Sequence, residues 1–316
     1  MSKPTEFVIM EHSKTIEKVI SVLLNICTQK SLPKPKFLVD KSNLNFVKKI
    51  FSDPTISISE FDTSQFSNAN LVFISEMEFD GLFGYDTIST KLLRRFGKDH
   101  MLEAYEKREG NLPLPGYELK TMDVAKKFTD GFEISSIEIV ANQTGVVDIV
   151  TGHPSLTSSL SKSLSSIAMH EIEKHKVAII STGKESSNET LSRSLCSIWN
   201  CSNAIKEEGL VILLAECKNG LGSEAIQQYI EGRMSLDRLK NPSKYVDGMD
   251  DLLFLTEIRK KFGIGIVSIL PHLFINDKLE MIPFSGAKEA MDYVLKTYGE
   301  RQKIAIVPDG SHVLLR

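Results

Sequence analysis

Six consecutive apolar residues, Leu210-Val211-Ile212-Leu213-Leu214-Ala215, constrain this chain more than any other feature. A strand with no polar alternation has no face to offer water, so it belongs in a sheet covered on both sides. The surrounding pattern supplies the cover. Residues 177–180, 264–270 and 304–307 read as further strands, and 187–203, 224–233, 250–262 and 287–298 as helices between them. Strands that alternate with helices predict a mostly parallel sheet.

The first half repeats the alternation. Short apolar runs at 7–10, 37–39 and 71–74 predict strands. Ile16, Val19, Ile20, Leu23 and Leu24 recur at helical spacing over 15–27, and 44–51 is a second helix. Residues 91–95 and 100–107 also look helical, and Pro113 and Pro115 mark 110–116 as a loop. A hairpin is expected over 134–142 and 146–150, around Gln143-Thr144-Gly145. Leu156, Leu160, Leu164 and Ile167 predict an amphipathic helix over 155–174, a natural connector. A chain of 316 residues exceeds what one core usually supports. The expected fold is therefore α/β: two Rossmann-like domains with mostly parallel sheets, 1–172 and 173–316, joined by a helix with a cleft between them.

Composition removes several classes. With 38 Lys+Arg against 41 Asp+Glu the net charge is −3, which leaves no electrostatic footprint for nucleic acid or an anionic membrane. A 41% hydrophobic and 25% charged composition is that of a packed globular protein. No run approaches the ~20 apolar residues of a membrane span, and the first residues lack a signal-peptide core, so a cytoplasmic location is expected. Four cysteines without a CxxC pair predict small buried thiols rather than a zinc ribbon.

The common catalytic signatures are missing: there is no GxxxxGK[ST] and no GxSxG. Gly263-Ile264-Gly265 opens a strand rather than a helix, unlike a dinucleotide fingerprint. His170 and His175 are five apart, about 140° around a helix, whereas HExxH needs four. Glu76, Glu78, Asp80 and Asp86 form an acidic stretch able to cap, solvate or bind a cation. The strongest local feature runs from Ala215 to Glu224. Gly220 and Gly222 permit a tight strand-to-helix turn and Ser223 is a natural N-cap. Free amides there favour a carboxylate or phosphate; a well-capped loop without a ligand explains the residues equally well.

Leu210 to Glu224, with Ser181-Thr182-Gly183 and Val307-Pro308-Asp309-Gly310, resembles the C-terminal domain of the nickel-pincer-nucleotide-dependent lactate racemase family. The likeness extends more weakly over most of the chain, which looks like a shortened member. It implies racemisation or epimerisation of a small anionic 2-hydroxy acid by hydride transfer to a nickel-bearing pyridinium mononucleotide. Glu11-His12-Ser13-Lys14 stands at the family's phosphate loop, so the resemblance implies that Glu11 and Lys14 position the cofactor phosphate. The family's Gly-Thr-His falls near Val39-Asp40-Lys41, without a histidine. Its Glu-Pro-His matches Glu78-Phe79-Asp80, which gives the proton work to Asp80. Lys91 would attach the cofactor and His100 would ligate nickel. Gly220, Gly222 and Ser223 complete the implied binding set. Lys91 also reads as a helix-surface lysine, and His100 as an exposed helix-start residue beside Asp99. Because several polar positions of the family are replaced together, a second expectation stands beside the first. It is a divergent non-catalytic relative, without the cofactor, that binds a small anionic ligand or a partner protein.

Overall fold

A computed structural model describes residues 5–11, 13–51, 53–62, 70–142, 144–183 and 186–316. His12 and Gln143, which the loop and hairpin expectations include, lie outside the described residues. The chain divides into two compact units. The first holds residues up to 78, 86–97 and 123–167, and the second 79–85, 98–122 and 168–316. The second unit thus takes two segments from the N-terminal half.

In chain order the first part comprises β1 (Glu6–Ile9), α1 (Lys14–Gln29), β2 (Lys36–Val39), α2 (Lys41–Ile50), β3 (Ser57–Glu60) and β4 (Leu71–Glu76). Then come β5 (Glu78–Asp80), β6 (Gly84–Asp86), α3 (Ile88–Phe96), α4 (Lys98–Glu106) and α5 (Lys120–Thr129). The hairpin β7 (Ser135–Asn142) and β8 (Gly145–Gly152) leads through a 3₁₀ turn (Pro154–Ser159) to α6 (Leu160–Ala168).

The first unit is built on one six-stranded sheet of order β3-β2-β1-β4-β7-β8. Its pairings are parallel except the last, where β8 runs antiparallel to β7. The strand period of two sorts side chains between the faces. Val8 faces one way with its neighbours Leu38 and Phe73, into a cluster with Ile88 and Leu92 of α3. Ile9 faces the other way with Val39 and Ile74, into a cluster with Ile16 and Ile20 of α1 and Val47 of α2. Ser13 starts α1 as an N-cap, its Oγ accepting from Ile16 N at 3.2 Å.

The second part runs β9 (Met169–His170), β10 (His175–Ser181), α7 (Leu191–Cys201), β11 (Ile205–Leu214), α8 (Glu224–Ile230) and α9 (Leu236–Lys240). It continues with α10 (Met249–Ile258), β12 (Gly263–Val267), β13 (Ile282–Phe284), α11 (Ala287–Tyr298), β14 (Ile304–Val307) and β15 (Leu314–Leu315). An all-parallel five-stranded sheet of order β13-β12-β11-β10-β14 forms its centre. As expected for a strand without polar alternation, β11 is internal, and Leu210 to Leu213 are buried. The α/β class and the mostly parallel sheets are thus as expected.

The connector differs from expectation. The predicted helix over 155–174 is only α6, because Met169 leaves it to pair with Leu314, and His170 with Leu315. Leu160 and Leu164 are buried as the stripe requires, but Leu156 sits in the 3₁₀ turn, 70% exposed. His170 and His175 therefore lie on two strands, β9 and β10, and not on a helix. Among the described residues no helix is long and apolar enough to cross a membrane.

Candidate functional site

In the first sheet the chain leaves β1 toward β2 and β3 on one side, while β4 and β7 lie on the other. The loops after β1 and β4 therefore part, leaving a crevice beyond their carboxyl ends, where open α/β sheets bind ligands. Glu11 enters it from the loop after β1. Ser75 and Glu76 come from the end of β4, Asp86 from the end of β6, and Lys91 from the first half of α3. Thr87 starts α3 with a capping box, and Glu138 of β7 accepts from Ile88 N at 2.7 Å. These two contacts fix the direction in which Lys91 projects.

Lys91 is the centre of the arrangement. Its Nζ donates to Ser75 Oγ at 2.6 Å and to the Glu76 carbonyl at 2.7 Å. Glu11 Oε2 lies 3.1 Å away and Asp86 Oδ2 3.5 Å away. The other oxygen of Glu11 accepts from Ser75 Oγ at 2.9 Å and from Glu76 N at 2.7 Å, so Glu11 laces β4 to the loop after β1. The lysine side chain is 14% exposed and the two carboxylates 23% each. Burial on its own pulls the ammonium pKa down, but Asp86, Glu11 and Glu78 outweigh it and hold the pKa well above the usual lysine value. Lys91 is a fixed cation. The charged groups acting on it, Asp86, Glu11 and Glu78, are all acidic.

The other expected site residues lie on other elements. Lys14 is exposed in the first turn of α1. Asp80 Oδ1 accepts from Leu82 N at 2.7 Å and Phe83 N at 2.6 Å, capping the turn between β5 and β6. His100 is exposed in the first turn of α4 and belongs to the second unit, whereas Lys91 belongs to the first. Asp40 forms an ion pair with Arg95 of α3, whose guanidinium also lies over Phe96, 5.1 Å from the ring centre.

In the second unit the strand order reverses between β10 and β14. Two of the motifs that carried the resemblance meet there. Gly310 N donates to Ser181 O at 2.8 Å, and Asp309 lies against Gly183, whose φ of +77° leaves no room for a Cβ. Asp309 Oδ1 is 2.6 Å from His312 Nδ1 and accepts from Ser311 Oγ at 3.0 Å. The turn between β11 and α8 spends its polar groups on neighbouring helices. Leu191 N and Ser192 N donate to the carbonyls of Gly220 and Leu221, Gly222 packs on Thr190, and Ser223 Oγ accepts from Ile226 N while donating to Asp247 O.

Sequence reasoning marked Glu11 and Lys91, and named Asp86 in an acidic stretch without joining it to them; Ser75 it did not mark. The available signal was the acidic stretch from Glu76 to Asp86. The cation that this stretch helps to hold is Lys91 itself.

Neither a protein-family model nor a curated protein sequence matches the chain. Solved structures do. The lactate racemase apoprotein from Thermoanaerobacterium thermosaccharolyticum aligns with a TM-score of 0.72 at 16% identity, over 99% of this chain and 87% of that one. A structural-genomics target from Thermotoga maritima aligns with a TM-score of 0.68 at 10% identity, over 99% of this chain and 94% of that one. At these identities the likeness shows the fold alone: this chain has the fold of the lactate racemase apoprotein.

That fold raises the question of whether the residues here suit a nickel-pincer nucleotide. A lysine that attaches a cofactor must first present a neutral amine, and the Lys91 amine is held as an ammonium by Ser75, Glu76, Glu11 and Asp86. A nucleotide phosphate would meet Glu11 and Asp86 beside Lys91. Held in this way, Lys91 does not fit the attachment of such a group.

Proposed function

We propose that this chain acts by binding, as a non-racemising protein on the lactate racemase fold. The observation that carries this reading is the Glu11–Lys91 pair, which turns the crevice of the first sheet into an internal ion cluster. A crevice closed by its own carboxylates repels a small carboxylate ligand, so a partner protein suits the chain better than an anionic metabolite. The test is co-expression with cofactor-making enzymes, followed by intact mass and nickel content. The expected result is an unmodified mass and no nickel. An adduct that disappears in a Lys91→Ala variant overturns the reading.

One observation favours the second reading, a cofactor-dependent racemase or epimerase of a 2-hydroxy acid. Glu11 and Lys91, two residues the resemblance assigns to the cofactor, do meet at the crevice. On that reading Glu11 and Lys14 position the phosphate and Lys91 attaches the cofactor, after its proton has passed to one of the surrounding carboxylates. His100 serves the metal, Asp80 moves the hydroxyl proton, and Gly220, Gly222 and Ser223 offer backbone amides. The adduct that sinks the first reading supports this one.

A further inference from the structure

The first sheet ends in two edges of different kinds. Strand β3 at one edge has four residues, and β8 at the other has eight. From Gly145 to Gly152 the only charged residue of β8 is Asp148. Val146, Val147 and Ile149 are exposed. A long apolar edge strand is a ready template for another strand, and folded proteins protect such edges.

The bonds of β7 show which groups of β8 face outward. Ile139 O accepts from the N–H of Met77, the residue after β4. The N–H and C=O of one strand residue point to the same side, so Ile139 turns its backbone toward β4 and away from β8. Its partner Ile149 therefore sits in a non-hydrogen-bonded pair and presents its own N–H and C=O to the open edge. Thr151, two residues on and opposite Ile137, faces the same way. Asp148 closes the first of these positions. Its Oδ1 accepts from Ile149 N at 2.9 Å, and its Oδ2 accepts from Ser163 Oγ of α6. The backbone of Asp148 turns inward to Val140, while its carboxylate, held by α6, reaches out to the edge.

We infer that Asp148 is an edge guard, which keeps two copies of this chain from joining through β8 into one continuous sheet. The strand it excludes is β8 of a second copy, because this edge matches itself. Turned about a twofold axis, β8 meets its own image antiparallel, with apolar residues against apolar residues and outward N–H against outward C=O. Asp148 opposes that pairing twice. It occupies Ile149 N, and in a pairing centred on Ile149 it sets two carboxylates on one face as diagonal neighbours. Their backbones are then about 7–8 Å apart, within a Debye length, so the like charges repel. The inference does not depend on whether the chain binds a partner or a cofactor, so it and the binding reading fail separately.

The test is the mass of the full chain in solution, read by light scattering after size exclusion, with all variants at one protein concentration. Asp148→Val removes both acceptors and the charge, and should double the mass relative to wild type. Adding Ile149→Pro deletes an N–H that no neighbouring strand uses, and should return the double variant to the wild-type mass. Far-UV circular dichroism follows the folding of both variants. An Asp148→Val chain at the wild-type mass overturns the inference. So does association that Ile149→Pro leaves in place, since it would come from another surface or from a loosened fold. A wild-type chain whose mass Ile149→Pro halves overturns it too, because the edge would then be open with Asp148 present.

Discussion

Replacing Lys91 by methionine keeps the volume and removes the charge. Ser75 Oγ and the Glu76 carbonyl each lose their lysine donor, at 2.6 and 2.7 Å, and Glu11 and Asp86 lose their counter-ion. Removing one partner of a buried pair costs about 3–5 kcal/mol, and single hydrogen bonds to a charge about 1.5–3 kcal/mol, without simple addition. Because both carboxylates are 23% exposed, water takes up part of the loss, and about 3 kcal/mol is expected. Urea unfolding followed by far-UV circular dichroism measures it, with amide exchange of β1 and β4 as the local reading. The pH dependence has a definite sign. The folded pKa of Lys91 is raised, so its contribution is complete below the unfolded lysine value of about 10.4 and fades as pH climbs through the folded value. The difference between wild type and Lys91→Met should thus stay constant from about pH 6 to 9 and narrow only above about pH 10.4. A difference under about 0.5 kcal/mol, or one that changes near neutrality, would refute the ion-cluster argument.

Three further outcomes follow from individual contacts. Asp80→Ala should lower stability by about 1–2 kcal/mol in thermal melts, while Asp80→Asn, which keeps an acceptor for Leu82 N and Phe83 N, should be nearly neutral. Gly84→Ala should be among the most damaging single substitutions, more than about 2 kcal/mol, since φ is +80° and the added Cβ would lie 1.8 Å from Tyr117 O. Burial pushes the thiols of Cys201 and Cys217 up to about 12 and about 11, so both should resist a thiol reagent at pH 8 until the protein unfolds, whereas the half-buried Cys27 and Cys196 react first.

The readable parts of the fold were those with their own periodicity. Residues 15–27 carry a helical stripe and lie within α1, and the unbroken apolar run from 210 lies in β11 up to Leu214. Strand β3, Ser-Ile-Ser-Glu, is an edge strand with a single apolar residue, so only its pairing with β2 identifies it. The premature end of α6 has the same origin. Met169 is drawn out of the helix by Leu314, 145 positions away, and no local pattern carries that distance. The candidate site divides likewise. Lys91 and Glu11 were legible through resemblance, but Ser75 and Glu11 are 64 residues apart, and only the meeting of β1 with β4 makes them neighbours. Ser223 was legible as an N-cap, and what could not be seen was that the carbonyls of Gly220 and Leu221 would serve the start of α7.

The pairing of β9 with β15 gives residues 168–316 the topology of a ring with one seam. Ile172 N donates to Arg316 O and Arg316 N to His170 O, so the stretch begins and closes at the same place. Neighbouring strands lie about 4.8 Å apart, a gap that a few glycines span. The seam can therefore be covalently closed and the ring cut in an exposed loop instead, leaving the order of its strands intact. For a protein engineer Arg316 and residues 170–172 mark where such a closure belongs, with 79–85 and 98–122 kept as parts of the same unit.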